Sequence, residues 1–323
     1  MKVQEVRSLM NEYGETKTPF LFAVDFELQN SIFIEHPTEQ KEILFRTPSS
    51  SNESKTAALG SLSSEIIPSP MSYNEYKKRF DIVMQGLLRG DSYLTNLTVR
   101  TPVDIKIGLT DIFLASNSPY GICIPDHFVC FSPERFVKIT NGSISTNPMK
   151  GTINANVPDA ENVILSDRKE MAEHSTIVDL LRNDIGMVAE DVVVERFRYI
   201  DQIYTHKGGI LQVSSEISGK LHCDYLSHLG DIVFRMLPAG SVSGAPKKST
   251  IDIIHKAEAE LRGYYTGIFG YFDGQELDTA VMIRFIEQSN GEYFFRSGGG
   301  ITVNSIPERE YAEVLEKIYL PFL

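Results

Sequence analysis

The stretch from Ser92 to Thr146 constrains the fold most. Strand-like segments follow one another at Ser92–Val99, Gly121–Ile124, Phe128–Phe131, Phe136–Ile139 and Ser143–Thr146, broken by Pro, Gly and Asn and by no helical periodicity. Parallel neighbours need a long crossover, usually a helix, so consecutive strands joined by turns imply an antiparallel sheet. A hairpin is expected earlier, in Pro19–Glu35, where Phe20, Leu21, Phe22, Val24 and Phe26 precede Ile32, Phe33 and Ile34, with Gln29-Asn30-Ser31 as the candidate turn. With 323 residues, 42% of them hydrophobic, the chain can bury one large core or two ordinary ones. It shows no internal repeat and no long linker.

Helical spacing frames this β-rich region. Over Ser72–Arg89 the apolar residues Tyr76, Phe80, Val83, Met84 and Leu87 recur at three and four, with Ser72 as N-cap and Gly90 just past the end. Before that helix, Pro48–Glu65 carries seven serines in eighteen residues and reads as an exposed, mobile loop. This organises the chain as 1–70, N-terminal strands and Ser-rich loop integral to the same domain, and 71–323, the main functional region.

Helices resume from Asp159. In Asp167–Asp184, Glu170, Glu173, His174, Ile177 and Leu181 share one stripe, so acidic and apolar side chains share a face. A carboxylate on a core-facing stripe is costly unless paired or bound to a metal, so Glu173 requires an arginine or a cation, whereas Glu170 equally well reaches water. In the last helix Ser305, Pro307 and Glu308 read as a capping-box start, and Tyr311, Leu315 and Ile318 as the apolar stripe. Glu310, Glu313, Val314 and Lys317 line another face, which either converges on a common point or is a solvated strip worth only about 0.3 to 0.5 kcal/mol per pair.

Lys150 stands in Asn147-Pro148-Met149-Lys150-Gly151-Thr152, where the following glycine leaves a ligand room to approach the backbone under the amine. That is the layout of a nucleophile, although the hexapeptide taken alone favours a solvated turn lysine. Two glycine-rich segments, PAGSVSGAPK (Pro238–Lys247) and RSGGGI (Arg296–Ile301), expose backbone NH groups fit to bind anions. Neither has the order of a phosphate-binding loop, so a carboxylate is the better match. Arg284 lies in the apolar run Ala280–Ile286, where a buried guanidinium demands a planar anion, either a ligand carboxylate or a structural salt bridge.

Charge and cysteine content exclude several classes. A net charge of -12 without a basic face argues against nucleic acid. Three cysteines, Cys123, Cys130 and Cys223, with no CxxC pair, indicate free thiols and neither a zinc site nor a disulfide framework. Met1–Lys17 has no apolar core of the signal-peptide kind, and no apolar run approaches the ~18 residues that span a bilayer, so a soluble, cytoplasmic protein without membrane contact is expected.

These residues carry a resemblance. SPERF (Ser132–Phe136), NPMKGT, DRKEMAEHSTIVDLLRND, PAGSVSGAPK, RGYYTGIFGY (Arg262–Tyr271), MIRF (Met282–Phe285), GGGI with Ser305, and EYAEVLEK (Glu310–Lys317) occur in the order seen in the chorismate-utilising enzymes. That family includes anthranilate synthase component I, isochorismate synthases and aminodeoxychorismate synthase component I. The resemblance implies an α/β (α+β) fold, a two-layered sandwich of large antiparallel sheets flanked by helices. Anthranilate synthases resemble P-I-A-G-T where this chain has Lys150, and aminodeoxychorismate synthases resemble P-I-K-G-T.

By resemblance, Lys150 is then the nucleophile, attacking C2 of chorismate with loss of the C4 hydroxyl before ammonia enters at C4. Attack needs the neutral amine, and lowering a lysine from ~10.4 to ~7.5 takes about 4 kcal/mol of differential stabilisation. Glu173 and Glu313 match the family's ligands to Mg2+, with Glu310 an additional or water-mediated one. Arg284, Tyr265, Lys317, Gly298, Gly299 and Gly300 match its carboxylate-binding groups, and Gly151, Thr152 and Ser241 its other substrate contacts. Two positions depart from the pattern. Gln212 stands where some members have a histidine near the leaving hydroxyl, so His174 or water is expected as the acid, and Leu94 replaces a common glutamine. No glutaminase nucleophile is visible in the chain, so a separate glutamine amidotransferase subunit is the expected partner. Anthranilate synthase component I and a non-catalytic chorismate-binding subunit are the competing readings.

Overall fold

The computed structural model describes residues 1–53, 65–205 and 208–321. The Ser-rich segment falls largely outside the described residues. The helices are α1 (Val3–Glu15), α2 (Tyr73–Leu88), α3 (Leu109–Ala115), α4 (Ala160–Ser166), α5 (Arg168–Gly186), α6 (Leu229–Arg235), α7 (Gly240–Ser243), α8 (Lys247–Glu258) and α9 (Pro307–Glu316). The first strands are β1 (Phe20–Val24), β2 (Ser31–Glu35), β3 (Leu44–Arg46), β4 (Ile67–Pro68), β5 (Leu94–Asp104), β6 (Tyr120–Ile124), β7 (Phe128–Ser132) and β8 (Arg135–Thr140). They continue with β9 (Ser143–Thr146), β10 (Met149–Asn154), β11 (Glu190–Thr205), β12 (Gly208–Lys220), β13 (Gly244–Ala245), β14 (Ile268–Phe272), β15 (Leu277–Val281), β16 (Phe285–Ser289) and β17 (Glu292–Ile301).

Two antiparallel sheets face each other. One runs β10-β12-β9-β8-β15-β14-β1-β2, with β11 on the free flank of β12; the other runs β13-β5-β17-β16-β7-β6-β3, with β4 on β5. β1 is buried along its whole length, because its alternate residues serve two cores. Leu21 and Ala23 point between the sheets, against Phe45, Tyr271, Phe269 and Phe285. Phe20, Phe22 and Val24 point outward, under a layer that includes Met10 of α1 and Leu229 of α6. Helices α2, α8 and α9 cover the outer face of the second sheet through Tyr76, Phe80, Ile253 and Val314. The expected sandwich of antiparallel sheets with helices outside is therefore the architecture found.

Local expectations fared unevenly. Helix α2 has the expected ends: the Ser72 hydroxyl accepts from Glu75 N, Ser72 N donates to the Glu75 carboxylate, and Gly90 takes φ +80° just past the end. The Pro19–Glu35 hairpin is β1 with β2. The unbroken strand run needs correcting, because α3 interrupts it between β5 and β6, and β6 and β7 lie in the other sheet from β8 and β9. The seven-residue α3 is too short to register as a periodic pattern, yet Leu109, Ile112 and Phe113 bury it against β6 and β7. The capping box of the last helix is also corrected. Ile306 is its N-cap with no side-chain cap, Pro307 occupies the first turn, and the Ser305 hydroxyl accepts from Thr302 N instead.

Candidate active site

Lys150 is not in a turn. It lies in β10, whose register against β12 shifts between Met149 and Thr152, so Lys150 and Gly151 form a bulge. Gly151 has φ +91°, and a Cβ there would sit 2.9 Å from a Glu170 carboxylate oxygen. The bulge turns the lysine into a cavity of about 190 Å³.

Both sheets and three helices wall that cavity. β10 supplies Lys150; α5 supplies Glu173, Thr176, Ile177 and Leu181; the α7 turn supplies Ser241 and Val242. The opposite wall is Gly298, Gly299 and Gly300 of β17, backed by Leu94 and Asn96 of β5, with Tyr265 and Thr266 beside it and Glu313 and Lys317 from α9. Arg284 lies where the chain leaves β15 in one sheet and enters β16 in the other. It holds φ +54°, a conformation that costs a non-glycine residue of order 1–3 kcal/mol and persists where surroundings fix it. It is half-buried rather than buried, and its Nε donates to the Tyr319 hydroxyl at 3.0 Å. Among the described residues no carboxylate closes an ion pair with it, so the structural salt bridge is not what occupies this guanidinium.

Charges are paired across the cavity. Lys150 Nζ lies 3.0 Å from Glu173 Oε2, and Lys317 Nζ lies 2.7 Å from Glu313 Oε1 while donating to Gly298 O at 2.6 Å. Burial alone would lower the Lys150 amine, but Glu173, Glu313 and Glu170 together push it above its ordinary value. The neutral amine expected from the sequence is therefore not the state favoured by this arrangement. Lys317 is shifted the other way: burial, reinforced by Arg284 and Lys150, outweighs Glu313. Glu310 approaches Gly299, and burial with the like charges of Glu313 and Glu173 pushes its carboxyl up. Among the described residues no three His, Cys, Asp or Glu side chains stand close enough, as placed, to hold a metal ion.

Four expected residues are not among the cavity-lining side chains: Glu310, His174, Gly151 and Thr152. His174 is fully buried behind β10, with Nε2 at 2.7 Å from Ser215 Oγ and its ring edge-on to Phe197. Burial holds its imidazole below the ordinary value. It is not among the cavity-lining side chains, so it is badly placed to deliver a proton there. Thr152 is exposed, and neither it nor Gly151 lines the cavity; Gln212 faces Thr152 across β10 and β12. The residue that sequence reasoning missed is Glu134. It sits in SPERF, lines the cavity, and accepts from Ser241 Oγ at 2.7 Å. Burial pushes its carboxyl up, only partly opposed by Ser241, Arg284 and Lys317. Its signal was a carboxylate just after Ser132-Pro133 and before a strand, which is also what a surface turn looks like.

Two facing antiparallel sheets thus enclose a cavity in which an arginine, a lysine and glycine backbone stand opposite a set of carboxylates. The model of the chorismate binding enzyme family matches residues 16–321, and the chain belongs to that family. It is 50% identical over 314 residues, 96% of this chain and 94% of the relative, to a Haemophilus influenzae protein named as an uncharacterized PabA-like protein. It is 30% identical to aminodeoxychorismate synthase component 1 of Bacillus subtilis over 83% of this chain, spanning 58% of that relative's length. The crystal structure of anthranilate synthase component I from Streptococcus pneumoniae superposes with a TM-score of 0.66 at 28% identity, covering 79% of this chain and 58% of that one. Among the described residues no helix is long and apolar enough to cross a membrane.

Proposed function

We propose that the chain is an aminodeoxychorismate synthase component I, making 4-amino-4-deoxychorismate from chorismate and ammonia on the way to para-aminobenzoate. The observation that carries this reading is Lys150 lining the same cavity as Arg284 and Glu134. Overall identity does not single out this reading, since an anthranilate synthase component 1 from Acetivibrio thermocellus is 38% identical over 78% of this chain, above the 30% of the Bacillus subtilis aminodeoxychorismate synthase component 1. The residue at position 150 discriminates instead.

In this reading Arg284, Lys317 and the backbone of Gly298–Gly300 hold the carboxylates of chorismate. The Lys150 amine forms a bond to C2, the two ring double bonds shift, and the C4–O bond breaks. Glu134, whose carboxyl burial pushes up, would in its acid form give its proton to the departing hydroxyl, which leaves as water. Ammonia then bonds to C4, the double bonds shift back, and Lys150 is released. Glu173, Glu310 and Glu313 are oxygen donors of the kind Mg2+ takes, and a cation would offset the burial and like charges that raise Glu310. As placed, Glu173 and Glu313 are engaged by Lys150 and Lys317, so those amines must yield their partners to an ion. Bound there, the ion would neutralise a substrate carboxylate and ease loss of the hydroxyl. Freed from Glu173, Lys150 would lose the contact that holds its amine protonated. His174 serves as packing behind the lysine strand. Ammonia would come from a separate glutamine amidotransferase subunit.

Incubating the purified chain with chorismate, magnesium and ammonium, and identifying the product by mass and by conversion with a lyase, tests the reading. Aminodeoxychorismate is expected. Anthranilate would sink the assignment in favour of the anthranilate synthase reading, and no product would favour a non-catalytic subunit. Glutamine should support turnover only when the amidotransferase subunit is added.

A further inference from the structure

Arg262 lines no part of the cavity, yet it is tied to several of the segments that do. Its side chain is fully buried. Nη1 donates to Val242 O at 2.8 Å and to Thr266 Oγ1 at 3.3 Å, and Nη2 donates to Asn96 O at 2.7 Å. Those acceptors belong to the α7 turn, to the loop after α8 and to β5. Glu258 completes the unit by accepting from Arg262 Nε at 2.9 Å and Nη2 at 2.6 Å, and from Thr98 N at 2.8 Å. The guanidinium stacks over Phe26, and the Glu27 carboxylate accepts from the backbone N of Arg262 and Gly263.

Each anchored residue neighbours a binding group. Val242 follows Ser241, Thr266 follows Tyr265, Asn96 is the register partner of Gly300, and Thr98 is that of Gly298. A buried ion pair is weak evidence for stability, since apolar side chains of similar volume often serve as well. What an apolar replacement lacks is a planar fork with donors directed at separate chain segments. We propose that Arg262, with Glu258, is a positioning residue that sets the spacing of the carboxylate-binding wall, so that substrate affinity depends on the shape of its guanidinium and not only on its charge. The proposal rests on the cavity taking chorismate, and a misplacement of about 1 Å at such a wall can cost as much as a hundredfold.

Arg262→Lys keeps the charge and removes the fork. Arg46 provides the comparison, because it too is a largely buried arginine paired with a glutamate, Glu53, and bonded to a main-chain carbonyl, that of Ser116, but none of these lines the cavity. Chorismate binding is measured directly by calorimetry, without ammonia, alongside thermal melting. Arg262→Lys should weaken binding about tenfold or more, while Arg46→Lys, with a comparable loss of melting temperature, stays within about twofold of wild type. A purely structural defect would lower the folded fraction, hence the number of sites titrated, and leave the affinity of the remaining sites intact. Wild-type affinity in folded Arg262→Lys, or equal losses in the two variants, would overturn the proposal. Should Arg262→Lys not fold, Glu258→Gln is read the same way and against the same limits. Because binding is read without turnover, a wrong product assignment would mimic neither outcome.

Discussion

On one side of the cavity Gly298, Gly299 and Gly300 sit in β17, an interior strand flanked by β5 and β16; on the other, Lys150 sits in β10, which has β12 as its single partner and a register shift at Lys150 itself. The glycine wall is braced from behind by the buried Arg262–Glu258 pair. The lysine wall is partly exposed, and the Lys150 side chain is held across the cavity by Glu173. In the proposed reaction gripping would fall to the core, where positions are over-determined, and bond making to a bulged edge strand, where the ladder is locally disrupted. The contrast teaches that affinity and turnover should be separable here by substitution.

Removing the divalent ion should have the largest effect, since two of the proposed ligands, Glu173 and Glu313, line the cavity and the third, Glu310, approaches Gly299. Turnover with ammonium should vanish in excess chelator and return with magnesium; full activity in chelator would remove the metal from the account. Next comes Lys150→Ala, expected to lower turnover about 10³-fold or more while chorismate affinity changes little. An alanine variant that turns over normally would erase the division between the walls. Intact-mass analysis after quenching should find a lysine adduct in the wild type and none in the variant.

Glu134→Gln should cost about 10²- to 10⁴-fold in turnover. Because the Glu134 carboxyl is raised, its acid form is present below the folded value and is lost as pH rises through it, so wild-type activity should fall on that alkaline limb. The glutamine variant should lack the limb; an unchanged pH profile would assign the acid elsewhere. The smallest effect should come from Arg284→Lys, which keeps the charge and gives up two-point contact with a carboxylate. Chorismate binding should weaken by about 1.5 to 3 kcal/mol, roughly ten- to a hundredfold, with a lesser change in turnover at saturation. A variant that binds normally but turns over poorly would move Arg284 to the chemical wall.

Local signals in the sequence determined an antiparallel sheet and one helix to both its ends, because strand alternation, three-and-four spacing and capping reach only a few residues, while the sandwich and the family came from the order of the motif blocks. Motif order also named Lys150, Glu173, Glu313, Lys317, Ser241, Tyr265, Arg284 and the three glycines before any of them was seen to share a cavity. Other matters were decided only when distant segments met. Glu173 and His174 are adjacent, and a turn of about 100° sends one into the cavity and the other into the core, a choice fixed by the strand that packs behind α5. Two residues of alternation separate Lys150 from Thr152, yet the bulge puts one inside and leaves the other in solvent. The Glu134 carboxyl is raised only once the fold buries it, against the opposing pull of Ser241, Arg284 and Lys317, all three more than a hundred residues away in sequence. A carboxyl's proton affinity depends on burial and on the charges within a few ångströms, and those are properties of the assembled fold.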